Sequence, residues 1–305
     1  MKFRRLGKTN LRVSVIGLGT WQLGGEWGKD FAQLEVDRMF DAARDVQINL
    51  VDTAECYGDH TSEALIGNAV HRDRANWIIA TKFGHKFHGH LNRTDERTPA
   101  DALAQVEASL KALRTDYIDI LQYHSVRESE FDNDELSAAL ESLVKSGKVR
   151  HLGNSISKSG NAPMQADAST RRHIEVLQVI YNRLDRTPEE YVFPSAIRQD
   201  LGVLARIPLA SGLLSGKYWP GARFAPNDVR AGNDPKSLDE KLNEVQNIRR
   251  GEVPQGVDMA QWALAWCLVH PAVTAVIPGC KDEKQVRANA AAAELAPSDH
   301  PQAWR

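Results

Sequence analysis

Residues 49–58, NLVDTAECYG, residues 77–84, WIIATKFG, and residues 118–125, IDILQYHS, share one pattern. Each is a short apolar run, rich in β-branched residues, that turns polar only at its end, which is how a buried strand reads. The residues at those ends are Asp52, Tyr57, Lys82 and His124. Where parallel strands alternate with helices, chemistry collects at the carboxyl ends of the strands. A carboxylate, a phenol, an ammonium and an imidazole meeting there outline a proton-transfer site.

The pattern repeats outward from these three runs. Strand-like segments occur at 15–19, 50–54, 78–83, 117–124, 149–155, 176–182, 201–209 and 272–279. Between them, helical periodicity covers 33–47, 99–114 after Thr98-Pro99, and 134–146, with Gly147 as the residue that ends the helix. SEALIGNAV, 62–70, opens another helix, with Thr61 or Ser62 as its cap. Residues 2–14, around a GKTNL turn, read as a hairpin. Eight strands alternating with helices predict a closed (β/α)8 TIM barrel of the α/β class. An open doubly wound sheet competes, but Gly17, Gly19, Gly24 and Gly25 lack the G-x-G-x-x-G spacing such a sheet carries after its first strand. Without a repeat or linker, residues 1–305 read as a single domain. Residues 219–255, rich in Pro, Gly, Asn and Asp, read either as a lid or as an insertion with one short helix.

Composition narrows the function classes. A net charge of -2 with no long basic run disfavours nucleic acid. No apolar stretch is long enough to span a bilayer, and MKFRRLGKTN lacks the apolar core of a secretory signal. Cys56, Cys267 and Cys280 are too few and too scattered for a disulfide framework or a zinc site, which points to a reducing, cytoplasmic setting. No interface mark that would set an oligomeric state is legible.

A free phenol, with a pKa of ~10, is a poor proton donor or acceptor at neutral pH. Lys82 beside Tyr57 is expected to lower that value, Asp52 to hold Lys82 charged, and His124 to orient a substrate oxygen. Taken singly, each residue has an ordinary structural reading: a cap, a surface charge, a core histidine. Their convergence at one end of adjacent strands favours protonation of a carbonyl oxygen as a hydride reaches its carbon. Neither a Ser or Cys nucleophile triad nor a metal-hydrolase ligand set is present.

These residues resemble the aldo-keto reductases, in particular the bacterial general aldehyde and carbonyl reductase branch. DTAECYG (52–58), Thr81-Lys82 and His124-Ser125 match the family's Asp–Tyr–Lys–His tetrad, and the likeness runs from LGKTNLRVSVIGLGTW to VIPGCKDEKQVRANAAAAE. The resemblance implies a barrel whose bottom is closed by the N-terminal hairpin, with extended NADP(H) at the top and no metal. It implies reduction of a small-molecule aldehyde or ketone with Tyr57 as general acid. A nicotinamide-binding regulatory barrel, or a polyol or sugar dehydrogenase working oxidatively, are the alternatives.

By the same resemblance, Gly19, Thr20, Trp21 and Asp52 stand near the nicotinamide, with Ser155 and Gln178 on its carboxamide. Ile156 replaces the usual Asn of that strand, for which Asn154 is a candidate substitute. Arg206 replaces a stacking aromatic; it either stacks as a planar cation, disfavouring oxidised nicotinamide, or pairs with a neighbouring acid. Pro208 is a further cofactor contact, and Leu209, Ser211, Gly212, Leu213, Ser215 and Lys217 belong to a pyrophosphate loop, 209–218, with Gly212 and Gly216 allowing close backbone approach. Gly279, Lys281, Gln285 and Asn289 match the adenosine end, the last three expected on one helix face. Lys281 favours the 2′-phosphate of NADPH, while Asp282 would favour NADH, the lesser expectation. Phe83 and Tyr123 alternate toward the helix layer. His85, His88 and His90 read as polar loop residues rather than metal ligands, and Glu55 and Trp27 as substrate contacts.

Overall fold

The computed structural model describes residues 1–157 and 160–304. The chain opens with an antiparallel hairpin, β1 (Phe3–Arg5) and β2 (Arg12–Ser14). Barrel strands then alternate with helices: β3 (Leu18–Gly19), α1 (Gln33–Asp45), β4 (Leu50–Asp52), α2 (Thr61–Val70) and β5 (Ile78–Phe83). A second hairpin, β6 (His85–Gly89) and β7 (Asn92–Asp95), precedes α3 (Pro99–Leu113), β8 (Ile118–His124), α4 (Glu128–Phe131), α5 (Asp134–Lys145) and β9 (Val149–Ser155). The rest is α6 (Ala162–Asp167), β10 (Ile174–Ile180), α7 (Val192–Arg198), β11 (Gly202–Arg206), α8 (Pro235–Gly251), α9 (Met259–Val269), β12 (Ala275–Val276) and α10 (Glu283–Leu295).

The order β3-β4-β5-β8-β9-β10-β11-β12 is parallel throughout. Parallel bridges Ile16–Val276 and Gly19–Gly279 join its two ends, so the sheet closes on itself as expected. Closure removes the edge strands of an open sheet. No helix among the described residues is long and apolar enough to cross a membrane.

Side chains that alternate inward change character with height. At the bottom Leu50, Ala80, Ile120, Val176, Leu204 and Ala275 pack with Leu6 and Val13 of the first hairpin, which plugs that end. Two residues higher, Leu50 gives way to Asp52, Ala80 to Lys82, Ile120 to Gln122 and Val176 to Gln178. Outward-facing Val51, Ile79, Phe83, Leu121, Tyr123, Leu177 and Val203 form the larger core beneath the helices. Phe83 and Tyr123 therefore lie where alternation puts them.

Several local expectations change. The strands are mostly shorter than read: the seventh ends at Arg206, because Ile207, Ala210 and Ser211 all take left-handed backbone angles. α2 is preceded by His60 at φ 64°, not capped by Thr61 or Ser62; the Thr61 and Ser62 hydroxyls bond to Gly58 and Thr20 instead. Residues 85–95, read as loop, are the β6–β7 hairpin. Residues 219–255 hold a seventeen-residue helix, α8, capped by Asp234 and packed through Leu238, Leu242, Val245 and Ile248 on Leu213, Leu214, Met259 and Ala263. Gly147, at φ 78°, ends α5 as read.

Candidate active site

Asp52, Lys82 and Gln122 end or nearly end β4, β5 and β8, and their side chains meet at the barrel top. Lys82, 1% exposed, donates to Asp52 Oδ2 at 2.9 Å, to the Thr53 carbonyl at 2.6 Å and to Tyr57 Oη at 3.3 Å. Asp52 Oδ1 accepts from Gln178 Nε2 at 2.6 Å and Gln122 Nε2 at 3.1 Å. Gln178 also donates to Gln122 Oε1 at 3.1 Å and accepts from Ser155 at 3.2 Å. A buried carboxylate is tolerated only when its lone pairs are satisfied, and here an ammonium and two amides do so.

Tyr57 comes from the turn between β4 and α2. That turn lies against the segment after β3, where a Cβ on Gly24 would stand 2.6 Å from the Tyr57 carbonyl carbon. With no side chain at Gly24, Trp21 reaches over Tyr57, its ring 6.2 Å away and near parallel at 26°. The His124 ring meets Tyr57 edge-on at 6.1 Å.

Burial sets the protonation states. It pushes the Tyr57 phenol up to about 12, with Asp52 adding to the rise; Lys82 pulls the other way and is outweighed. The lowered phenol expected from the Lys82 contact is thus not found. Burial works against the Lys82 ammonium, but Asp52 and Tyr57 raise its pKa overall. Burial, with the Lys82 ammonium close by, holds the His124 imidazole well below its ordinary range, so the ring is neutral.

An open cleft of about 790 Å³ runs from this cluster across the barrel top. Trp21, Trp27, Tyr57, His85, Arg93 and His124 surround one end. Asp52, Ser155, Gln178 and Arg206 form the floor beside Gly19, Thr20, Pro208, Leu209 and Ser211. Gly212, Ser215, Lys217, Gly279, Lys281, Gln285 and Asn289 line it as well. Leu213 does not line the cleft; it is an apolar residue that buries among α8 and α9.

Three placements differ in detail from expectation. Asn154 donates to Gln165 in the helix layer at 2.8 Å and cannot stand in for Ile156, which is itself core. Lys281 precedes α10 rather than lying on it, and Asp282 caps that helix through the Gln285 amide. Arg206 donates to the Ile156 carbonyl at 3.3 Å, and among the described residues its buried Nε has no hydrogen-bond partner.

Sequence reading missed Gln122, Arg93 and Glu26. Gln122 sits two residues from both Ile120 and His124, so alternation alone would have placed it inward. Glu26, 1% exposed, accepts from Trp21 Nε1, the Arg93 guanidinium and the Leu91 amide, tying the β6–β7 hairpin over the cleft. A carboxylate in a Trp-rich loop carries no such signal.

Against known proteins, the profile of the aldo/keto reductase family matches residues 15–303. The chain belongs to this family, whose members are oxidoreductases that act on small carbonyl compounds and use a nicotinamide cofactor. An uncharacterized oxidoreductase, YqkF, of Bacillus subtilis (strain 168) is 32% identical over 96% of this chain and 91% of its own. The NADH-specific methylglyoxal reductase of Escherichia coli (strain K12) is 29% identical over 98% of this chain and 95% of its own. The solved holo form of the aldo-keto reductase AKR11C1 from Bacillus halodurans superposes with a TM-score of 0.82 at 31% identity, covering 97% of this chain and 92% of that one.

Proposed function

We propose that this chain reduces an aldehyde or ketone to the alcohol, with NADPH as hydride source and Tyr57 as proton donor. The observation that carries the reading is the buried Asp52–Lys82–Tyr57 chain opening on the cleft opposite His124. Tyr57 is neutral at physiological pH and so holds the proton that a carbonyl oxygen needs as charge develops on it. Lys82, kept charged by Asp52, stabilises the phenolate left behind. His124, being neutral, directs the carbonyl by hydrogen bonding and not by charge. When bound, the nicotinamide supplies the hydride to the carbonyl carbon.

The residues present suit that cofactor. Arg206 Nε, unpaired among the described residues, lies at the floor, where a dinucleotide would offer acceptors. The turn after β11 puts Gly212 and Gly216 at positive φ, and Lys217 and Lys281 bring positive charge to the cleft wall. Lys281 favours a 2′-phosphate, and the Asp282 carboxylate is engaged with the α10 amide. The E. coli relative is NADH-specific by name, and both cofactors therefore enter the test.

The test follows NADPH and NADH consumption with an activated aromatic aldehyde and with methylglyoxal, alongside Tyr57→Phe and Lys281→Ala. Expected are turnover by the wild type, loss of at least about 100-fold in Tyr57→Phe with NADPH binding retained, and weaker NADPH but not NADH binding in Lys281→Ala. Tight NADPH binding without turnover of any carbonyl would overturn the reductase reading. Equal effects of Lys281→Ala on both cofactors would remove the NADPH preference.

A further inference from the structure

Two side chains behind His124 have no part in the mechanism so far. Its Nδ1 faces the Cys56 sulfur at 3.7 Å and Glu55 Oε1 at 3.9 Å. Both residues come from the turn that carries Tyr57, and both are buried, Cys56 fully and Glu55 to 3% exposure. Glu55 Oε1 accepts the His85 amide at 3.0 Å, while its buried Oε2 has no hydrogen-bond partner among the described residues.

A neutral imidazole carries one hydrogen, and the partner of one nitrogen decides where it sits. With Nδ1 turned to Cys56 and Glu55, Nε2 is the nitrogen left for the cleft. A thiol can donate to a bare Nδ1, which leaves the hydrogen on Nε2. A carboxylate can only accept, which draws the hydrogen to Nδ1 and leaves Nε2 bare. The two neighbours therefore favour opposite tautomers. We infer that Cys56 and Glu55 together decide which ring nitrogen of His124 carries its hydrogen, the thiol holding it on Nε2 and the carboxylate, once ionised, drawing it to Nδ1.

The surroundings decide when each prevails. Burial keeps Cys56 a thiol, its pKa raised with a further push from Glu55. Burial and the neighbouring Glu63 of α2 raise Glu55 to about 8, against the His85 amide of β6 and the Lys82 ammonium of β5. Lys82, His85, Arg206 of β11 and Arg93 of β7 all oppose protonation of His124, so ionised Glu55 moves a hydrogen within the ring and does not create an imidazolium. Below about pH 8 Glu55 is neutral, and Nε2–H can donate to a carbonyl oxygen. Above it, bare Nε2 accepts from an alcohol hydroxyl instead. Resting on the reductase reading, this makes Cys56 and Glu55 positioning residues that bias direction with pH.

The test is histidine-selective ¹⁵N NMR of the whole protein across pH, with the His124 signals assigned by His124→Gln. In the wild type the Nε2–H tautomer should dominate at pH 6.5 and give way to Nδ1–H near about pH 8. Glu55→Gln should stay Nε2–H throughout, and its reductase kcat should lack the fall above about pH 8 expected of the wild type. Cys56→Ala should show mixed tautomers at pH 6.5 and a kcat lowered about three- to tenfold with KM little changed; Cys56→Ser should restore part of both. Glu55→Gln and Cys56→Ser preserve size, so the test survives if Cys56→Ala does not fold. Nδ1–H in the wild type at pH 6.5, or a Glu55→Gln titration like the wild type's, would overturn the inference. The NMR outcome needs no substrate, so it stands even if every carbonyl fails and the reductase reading falls.

Discussion

At the scale of single residues, the proposed mechanism has Lys82 both assist Tyr57 and neutralise Asp52, and the two roles separate by mutation. Lys82→Met leaves Asp52, 4% exposed, with only the Gln122 and Gln178 amides as partners. Removing one member of a buried pair costs about 3–5 kcal/mol, because the other charge stays uncompensated. The double variant Asp52→Asn/Lys82→Met removes that charge and should recover most of the loss in urea unfolding. Its activity should stay down by about 100-fold or more, since the phenolate has no ammonium beside it. A double variant that regains turnover would take Lys82 out of the chemistry, and one no more stable than Lys82→Met would show that Asp52 was not held as a charged partner.

At the scale of elements, the β6–β7 hairpin owes its place to Glu26 more than to its own sequence. HKFHG and NRTD have no apolar face that would pair them in isolation, so their order comes from docking: His85 on Glu55, Leu91 and Arg93 on Glu26. Glu26→Gln keeps the shape and removes the charge that holds Arg93. KM for the carbonyl should rise several-fold with kcat within about twofold, since Arg93 lines the cleft without touching the tetrad's hydrogen bonds. A fall in kcat at constant KM would instead place the hairpin in the chemical step. The same contrast explains what could be read from the chain. Barrel strands are buried on both faces, so each writes a continuous apolar run that ends where Asp52, Lys82 and His124 begin. Gln122 lies inside such a run, where alternation alone marks it, and the cap of α2 is not legible because His60, in a left-handed conformation, leads the chain into it. Elements that form by tertiary docking leave no periodicity to read.

At the scale of the molecule, the inward residues divide the barrel into an apolar lower half and a polar upper half that share strands but not side chains. Chemistry at the top needs the strands held in register, and the register is fixed by the packed bottom. Leu6, fully buried, enters that bottom from the hairpin. It packs so closely on β11 that a Cβ on Gly202 would stand 2.6 Å from Leu6 Cδ1. Neighbours this tightly fitted cannot collapse fully into a hole, so Leu6→Ala should cost about 2–5 kcal/mol in urea unfolding. Between Leu6 and the tetrad lies a further inward residue on each strand, and none of Lys82's hydrogen bonds reaches the lower half. At a temperature where the variant remains folded, kcat and KM should therefore match the wild type within about twofold. If kcat falls in step with stability, the two halves are coupled through strand position, and the plug is then a part of catalysis as well as of the fold.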